Sequence, residues 1–390
     1  MENREYIKTG SQVYWRTLFI IFLGSMAAFG AEYCVQPIIP VIASSFGLNA
    51  VQGSLAVSLG LVGMSAAMLL IAGLAPRFDR KLATAVGLIG AAILTIMIGF
   101  SGSFEAILGM RLIQGLLLAA FPSLIIAYIN EEFEPFNVGT VIGIYISGTT
   151  VGGLFGRLVV SAITDFVSWR MGLIVIGILY LAVGIAFFML LPKPKYQRQR
   201  QSGGLQLIKT FHTALANKKL LWIYLVAFLI MGSFVAVFNF ISYVLLAPPY
   251  SLSQTVVGLL FVVYLFGTFS STYMGRLSDQ HGNNGRVLIL GLLIMLTGGL
   301  LTLLQPLVFK FIGLAIFTFG MLGSHSVACG WVGKLNQGDK AQSSSMYMFF
   351  YYAGASSLGT LGGVFLESYG WSGVIGMVAA AVIICLLVVV

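Results

Sequence analysis

Charged side chains are nearly missing from this chain. Asp, Glu, Lys and Arg make up 8% of its 390 residues, against 58% hydrophobic. A water-soluble protein of this length needs far more charge to cover its surface, so a soluble globular fold is excluded. Cysteine is rarer still: Cys34, Cys329 and Cys385 all fall in apolar stretches, with no CxxC pair and no disulfide framework. They read as small core residues. Three histidines, two of them in polar loops, leave no cluster for a metal or for nucleophilic catalysis. There is no G-x-x-x-x-G-K-[ST] loop (Gly333-Lys334 runs on to Leu335) and no H-E-x-x-H, G-x-S-x-G or dinucleotide-binding glycine pattern. ATP-driven work and enzyme chemistry of those kinds have no sequence support, and no cofactor is expected.

What is present is apolar length. Twelve runs stand out, at about 16–42, 51–75, 82–101, 105–129, 138–164, 171–192, 220–246, 254–274, 287–305, 308–332, 344–366 and 371–390. Each is long enough to cross a bilayer as a helix. All far exceed the roughly 10-residue alternating strands of a membrane barrel, so the fold class is an all-α membrane protein of twelve transmembrane helices. The net charge of +9 follows the loops. Numbered from a cytoplasmic N-terminus, the N-terminal arm and the even gaps hold all but four of the 21 Lys and Arg. The exceptions are Arg170 and Lys310 in odd gaps, and Arg111 and Arg157 inside runs. That asymmetry places both termini in the cytoplasm. No aromatic-basic surface supports nucleic-acid binding. The longest polar stretch separates six runs from six, which gives an N-terminal bundle over 1–192, a basic cytoplasmic linker over 193–219 and a C-terminal bundle over 220–390. Within the linker, Leu205 to Leu215 is expected as a short amphipathic helix on the anionic inner leaflet.

The two halves repeat. Leu74-Ala75-Pro76-Arg77-Phe78-Asp79-Arg80-Lys81 is matched, 203 residues on, by Leu277 and its neighbours in Gly275-Arg276-Leu277-Ser278-Asp279-Gln280-His281-Gly282, with Arg286 just beyond. Asp165/Trp169 and Glu367/Trp371 share the acid-x-x-x-Trp pattern, and Gln36 corresponds to Asn239. A glycine ladder, Gly148, Gly152 and Gly156, has its counterpart in Ala355, Gly359 and Gly363. Small residues at spacing four let membrane helices approach closely, whether to pack or to slide. A duplicated half is how many secondary transporters are built, with a site between the halves.

A charge at mid-bilayer costs at least about 2.5–3.5 kcal/mol, so each one needs a reason. Glu32 is the only carboxylate well inside a run. Ser25, Phe29, Glu32 and Gln36 fall at i, i+4, i+7 and i+11, one helical face that is expected to line a cavity. A carboxylate in such a partly buried place can load and release a proton near neutral pH. Arg111 or Arg157, which stay charged, are its candidate partners or else an anion site. A fixed pair that only holds helices together is the alternative. His325, between Ser324 and Ser326, is a switch or a hydrogen-bonded core residue. Phe238, Phe240 and Tyr243, and the cluster from Tyr347 to Tyr352 that includes Tyr351, serve packing or an aromatic cavity. Gln114, beside Arg111, joins Gln36, Arg157, Asn239, Tyr243, His325 and Tyr351 as the expected cavity lining.

These residues carry a resemblance. Gly275, Leu277, Asp279, Gly282 and Arg286 are similar to the loop motif G-x-L-a-D-r-x-G-r-k of the major facilitator superfamily. In the first copy Pro76 stands for the Asp and Asp79 for the Gly, while Arg80 and Lys81 remain. Arg111, Gln114 and Gly115 resemble the family's R-x-x-Q-G motif, which is linked to proton transfer. Gly148, Gly152 and Gly153 resemble its antiporter motif, with Thr149 in place of the proline. The stretch from Gly143 to Gly148, with Gly156-Arg157 and Thr164-Asp165-Phe166, looks like bacterial inner-membrane exporters of the drug:proton antiporter and arabinose-efflux type. The resemblance implies two pseudo-symmetric six-helix bundles around a central cavity, in a monomer in the inner membrane. It implies exchange of a small amphipathic compound for protons; from the residues themselves, Glu32 is the expected proton-coupling carboxylate and Arg111 its modulating partner. Arg80, Lys81, Gly275, Asp279, Gly282 and Arg286 would form the gate, Asp279 latching to the nearby arginines. The expected partners are the lipid bilayer, the substrate and protons. Uptake of a sugar or organic anion with protons is the rival, and a non-transporting receptor or lipid-handling protein is a rival of another class.

Overall fold

The computed structural model describes residues 6–74, 79–195, 217–335 and 340–389. The amphipathic helix expected over 205–215 and residues 75–78 of the first loop copy lie outside the described residues. Helices dominate. In the first half they are α1 (Gln12–Tyr33), a 3-10 turn (Gln36–Ile38), α2 (Ile39–Ser45), α3 (Ala50–Leu74), α4 (Arg80–Phe100), α5 (Phe104–Leu118), α6 (Ala120–Glu132), α7 (Val138–Phe166) and α8 (Trp169–Leu190). In the second half they are α9 (Lys218–Leu246), α10 (Gln254–Leu259), a 3-10 turn (Leu260–Val263), α11 (Tyr264–His281), α12 (Asn284–Leu301), α13 (Leu307–Leu335) and α14 (Lys340–Val389).

Eleven stretches among the described residues are long and apolar enough to cross a membrane. The runs expected separately at 344–366 and 371–390 lie in one stretch, Ser343–Val389, of 47 residues. At 1.5 Å per residue that is about 70 Å, twice what a hydrocarbon core of ~30 Å requires. The stretch is interrupted at Gly370, whose φ of 63° and ψ of −155° are not helical and suit glycine alone. Large apolar side chains such as Phe19, Phe100, Phe166 and Leu387 stand exposed, as a surface solvated by lipid tails allows.

Polar residues at the helix starts are used as caps. The Ser11 hydroxyl accepts from Tyr14 N, the Asp79 carboxylate from Leu82 N, and Ser103, Ser168 and Asn283 do the same for α5, α8 and α12. Two helix ends explain the cations that break the loop rule. Arg170 donates to Ser101 O at the C-terminus of α4 and lies 4.3 Å from the Trp169 ring. Lys310 donates to Thr302 O at the C-terminus of α12, where Trp371 Nε1 also donates to Thr302 Oγ1 at 3.0 Å. A cation on exposed last-turn carbonyls is favoured by the helix dipole.

The chain divides into two compact units. Unit 1 holds Met1–Val35 and Gly63–Leu207; unit 2 holds Gln36–Val62 and Ile208–Val390. Residues 36–62 thus group with the second unit, although they precede the linker in the chain. In unit 1, α1 crosses α7 along the glycine ladder: a Cβ on Gly156 would stand 2.7 Å from Gly30 O, and one on Gly148 would stand 2.8 Å from Ser25 Cβ. In unit 2, α9 crosses α14 in the same manner, with Gly359 on Val235 and Gly363 on Phe240. Such approach is possible only where no side chain intervenes.

Candidate functional site

The first long run is not one helix. Pro37 has no N–H for the carbonyl of Tyr33, and Pro40 has none for Gln36, so α1 ends at Tyr33 and the chain re-enters helix only at Ile39. The face expected to run from Ser25 through Gln36 therefore stops at Glu32. Carbonyls in the last turn of α1 are left without their usual partners. Arg111, projecting from α5, takes them: Nη1 donates to Ala31 O at 3.2 Å and Nη2 to Glu32 O at 2.6 Å.

The same guanidinium faces the Glu32 side chain, with Nη2 3.5 Å from Oε1. Glu32 Oε2 is buried and has no hydrogen-bond partner. Arg111 also donates to Gln114 Oε1, and Gln114 Nε2 donates in turn to Ala91 O at 3.0 Å and Thr95 Oγ1 at 2.6 Å on α4. Glu32, Arg111 and Gln114 are fully buried. The carboxylate is thus incompletely satisfied, and the guanidinium beside it is shared with backbone carbonyls.

Of the two partners expected for Glu32, the structure supplies Arg111. Arg157 on α7 donates to Gly153 O at 2.8 Å and lies 4.6 Å from the centre of the Tyr33 ring, a cation–π distance. The Tyr180 hydroxyl, buried and without a hydrogen-bond partner, enters the notch between Gly30 and Gly156. Thr95, Tyr33 and Tyr180 were not singled out from sequence. Their role depends on which helices meet, and nothing in their local pattern marks it.

In unit 2 the repeat-related amides bond to each other, Gln36 Nε2 donating to Asn239 Oδ1 at 2.8 Å. Asn239 Nδ2 reaches Gly359 O at 3.4 Å. The Tyr243 hydroxyl is buried beside Gly53 with no hydrogen-bond partner. Elsewhere in this unit His325 Nδ1 is 2.9 Å from the Tyr347 hydroxyl, and its ring lies 4.4 Å from that of Tyr351.

The loop motifs are tied differently in the two units. Gly282 ends α11 with φ of 64°, its N–H donating to Ser278 O, which explains a glycine there. Asp279 pairs with Lys334 on α13 at 2.9 Å, and not with Arg276 or Arg286 as expected. Gly275 leaves room for Ser326. In the first copy Arg80 forms a two-pronged pair with Glu131 on α6, and Lys81 lies 5.5 Å from the Phe188 ring. Glu131 and Lys334 are themselves 203 residues apart, so one repeat position anchors the loop in each unit with opposite sign. The Arg80–Glu131 side chains are 6% and 18% exposed, whereas Lys334 and Asp279 are 52% and 74% exposed. Exposed pairs contribute about 0–1 kcal/mol, and breaking a buried one costs about 3–5 kcal/mol. Glu131→Gln should therefore lower the melting temperature of the purified protein clearly, and Asp279→Asn hardly at all. Equal shifts in scanning fluorimetry would contradict this ranking.

Comparison with known proteins agrees with this architecture. The model of the Major Facilitator Superfamily matches residues 21–250 and 233–390. An uncharacterized MFS-type transporter of Bacillus subtilis, YybF, is 37% identical over 383 residues, covering 98% of this chain and 94% of that protein. The inner membrane transport protein YnfM of Escherichia coli is 37% identical over 387 residues, covering 99% and 93%. The chloramphenicol resistance protein CraA of Acinetobacter baumannii is 24% identical over 285 residues, covering 73% and 68%. Among solved structures, an inward-facing bacterial homologue of the lysosomal transporter Spinster superposes with a TM-score of 0.78 at 18% identity, over 97% of this chain and 96% of that one. This chain belongs to the Major Facilitator Superfamily and is a multi-pass membrane transporter, not an enzyme.

Proposed function

We propose that the protein is a proton-coupled exporter of small amphipathic compounds, working by alternating access, with Glu32 as the residue that carries the proton. The observation behind this reading is the Glu32 carboxylate, buried at a helix break with one oxygen 3.5 Å from Arg111 and the other without a hydrogen-bond partner. A group so placed is served by a proton in one state and by its cation in another. Arg111 has backbone acceptors of its own, so it can hold the break of α1 whether or not Glu32 is charged. The direction of transport follows the exporter-like stretch around Gly148 and the distant relationship to CraA, a protein named for chloramphenicol resistance. In this reading Gln36, Asn239 and Tyr243 contribute to the substrate path, the chain acts as a monomer, and both termini are cytoplasmic.

Everted membrane vesicles energised by respiration test the reading, with chloramphenicol as the probe. Its addition should release protons from the vesicle lumen, seen as dequenching of a trapped acridine dye, only when the protein is present. Accumulation of the probe with protons by intact cells would instead support uptake. Binding of the probe without any proton movement would support a receptor.

A further inference from the structure

The chain leaves unit 1 between Val35 and Gln36 and returns to it between Val62 and Gly63. The first crossing falls at the proline break that follows Glu32. The second falls inside α3, at a glycine where an added Cβ would stand 3.0 Å from Leu116 N. Residues 36–62 are thus joined covalently to unit 1 at both ends, while their noncovalent partners lie in unit 2.

The segment buries apolar side chains such as Ile38, Ile39 and Ile42, and it is also tied by hydrogen bonds and by close contacts at glycines. Gln36 bonds Asn239, Gln254 Nε2 donates to Pro37 O at 2.8 Å, and Thr360 Oγ1 donates to Ser58 Oγ at 2.6 Å. Gly363 lies against Val51, and Gly53 against Tyr243. The start of α3 is the telling part. Asn49 and Gln52 cap each other: Gln52 N donates to Asn49 Oδ1 at 2.8 Å and Asn49 N to Gln52 Oε1 at 3.2 Å. This reciprocal cap leaves the amides of Ala50 and Val51 unserved. Both donate to one carboxylate oxygen of Glu367 on α14, at 2.9 Å and 3.3 Å. A carboxylate at that place completes the cap and meets the positive end of the helix.

We infer that Glu367 is a positioning residue of the transport cycle: by capping α3 it holds residues 36–62 as a strap on unit 2, and the strap is released when the transporter changes state. This rests on alternating access, and holds for either direction of transport and with or without protons. Hydrogen bonds and glycine contacts suit release because they can be remade, and no large side chain has to be withdrawn between Val51 and Gly363.

Spin labels on Ser45 and Tyr369, both exposed, report the distance from the strap to α14 within unit 2. The buried native cysteines Cys34 and Cys385, and the half-buried Cys329, are replaced by alanine. Pulsed electron spin resonance in lipid should show a main short distance and a minor long one. Glu367→Gln should raise the ratio of long to short about tenfold, the loss expected for a hydrogen bond to a charged group. Glu367→Asp, which keeps the charge, should stay nearer the wild type and serves if the glutamine variant fails to fold. A disulfide between Ser58→Cys and Thr360→Cys should remove the long distance. A single distance that neither Glu367→Gln nor the disulfide alters would overturn the proposal, and it would do so whatever the vesicle assay gives for proton coupling.

Discussion

Arg111→Met is expected to destabilise the protein by about 3–5 kcal/mol, the usual cost of removing one partner from a buried ion pair. The arginine has no exposed surface, and it serves Glu32 Oε1, the carbonyls of Ala31 and Glu32, and Gln114 at once. Without it the carboxylate is left buried with no cation, and the broken end of α1 loses its cap. Much of the loss comes from the stranded charge, so removing that charge should recover part of it. The double variant Glu32→Gln/Arg111→Met should unfold at a higher temperature than Arg111→Met alone. A double-mutant cycle by thermal unfolding in detergent measures this coupling. If Arg111→Met melts with the wild type, the pair is not what holds α1 to α5.

The second large effect concerns transport. Glu32→Gln keeps the size of the side chain and its capacity to accept a hydrogen bond, but it cannot gain or lose a proton. Proteoliposomes carrying this variant should lose export driven by a pH gradient, with flux falling to that of empty liposomes. Exchange of labelled for unlabelled chloramphenicol, which needs no net proton movement, should continue. A variant that fails in both assays would point to a structural role for Glu32, and one that passes both would remove it from the mechanism.

Much of this arrangement could be read from the chain. Scarcity of charge and the apolar runs gave the membrane fold, and the offset of 203 led to Gln36 and Asn239, which the structure joins directly. Arg111 and Gln114 were legible because they share one helix at i and i+3, so their side chains meet by geometry alone. The break after Tyr33 was written in Pro37 and Pro40, but hydropathy is blind to it because both prolines sit in an apolar run. Lys334 and Glu131 were not legible as loop anchors. Each lies about fifty residues from its partner, and only the folded chain brings α13 to α11 and α6 to α4. The strap was equally hidden, since sequence order assigns residues 36–62 to the first half while their hydrogen bonds run to Asn239, Gln254, Thr360 and Glu367.

In the proposed cycle Glu32 exchanges a proton against cargo. The most direct test of this exchange is the pH change when chloramphenicol, or another compound shown by the vesicle assay to be carried, is added to purified protein in weakly buffered detergent. The wild type is expected to release protons on binding, and Glu32→Gln to bind the same compound and release none. Equal proton release by the two proteins would contradict it.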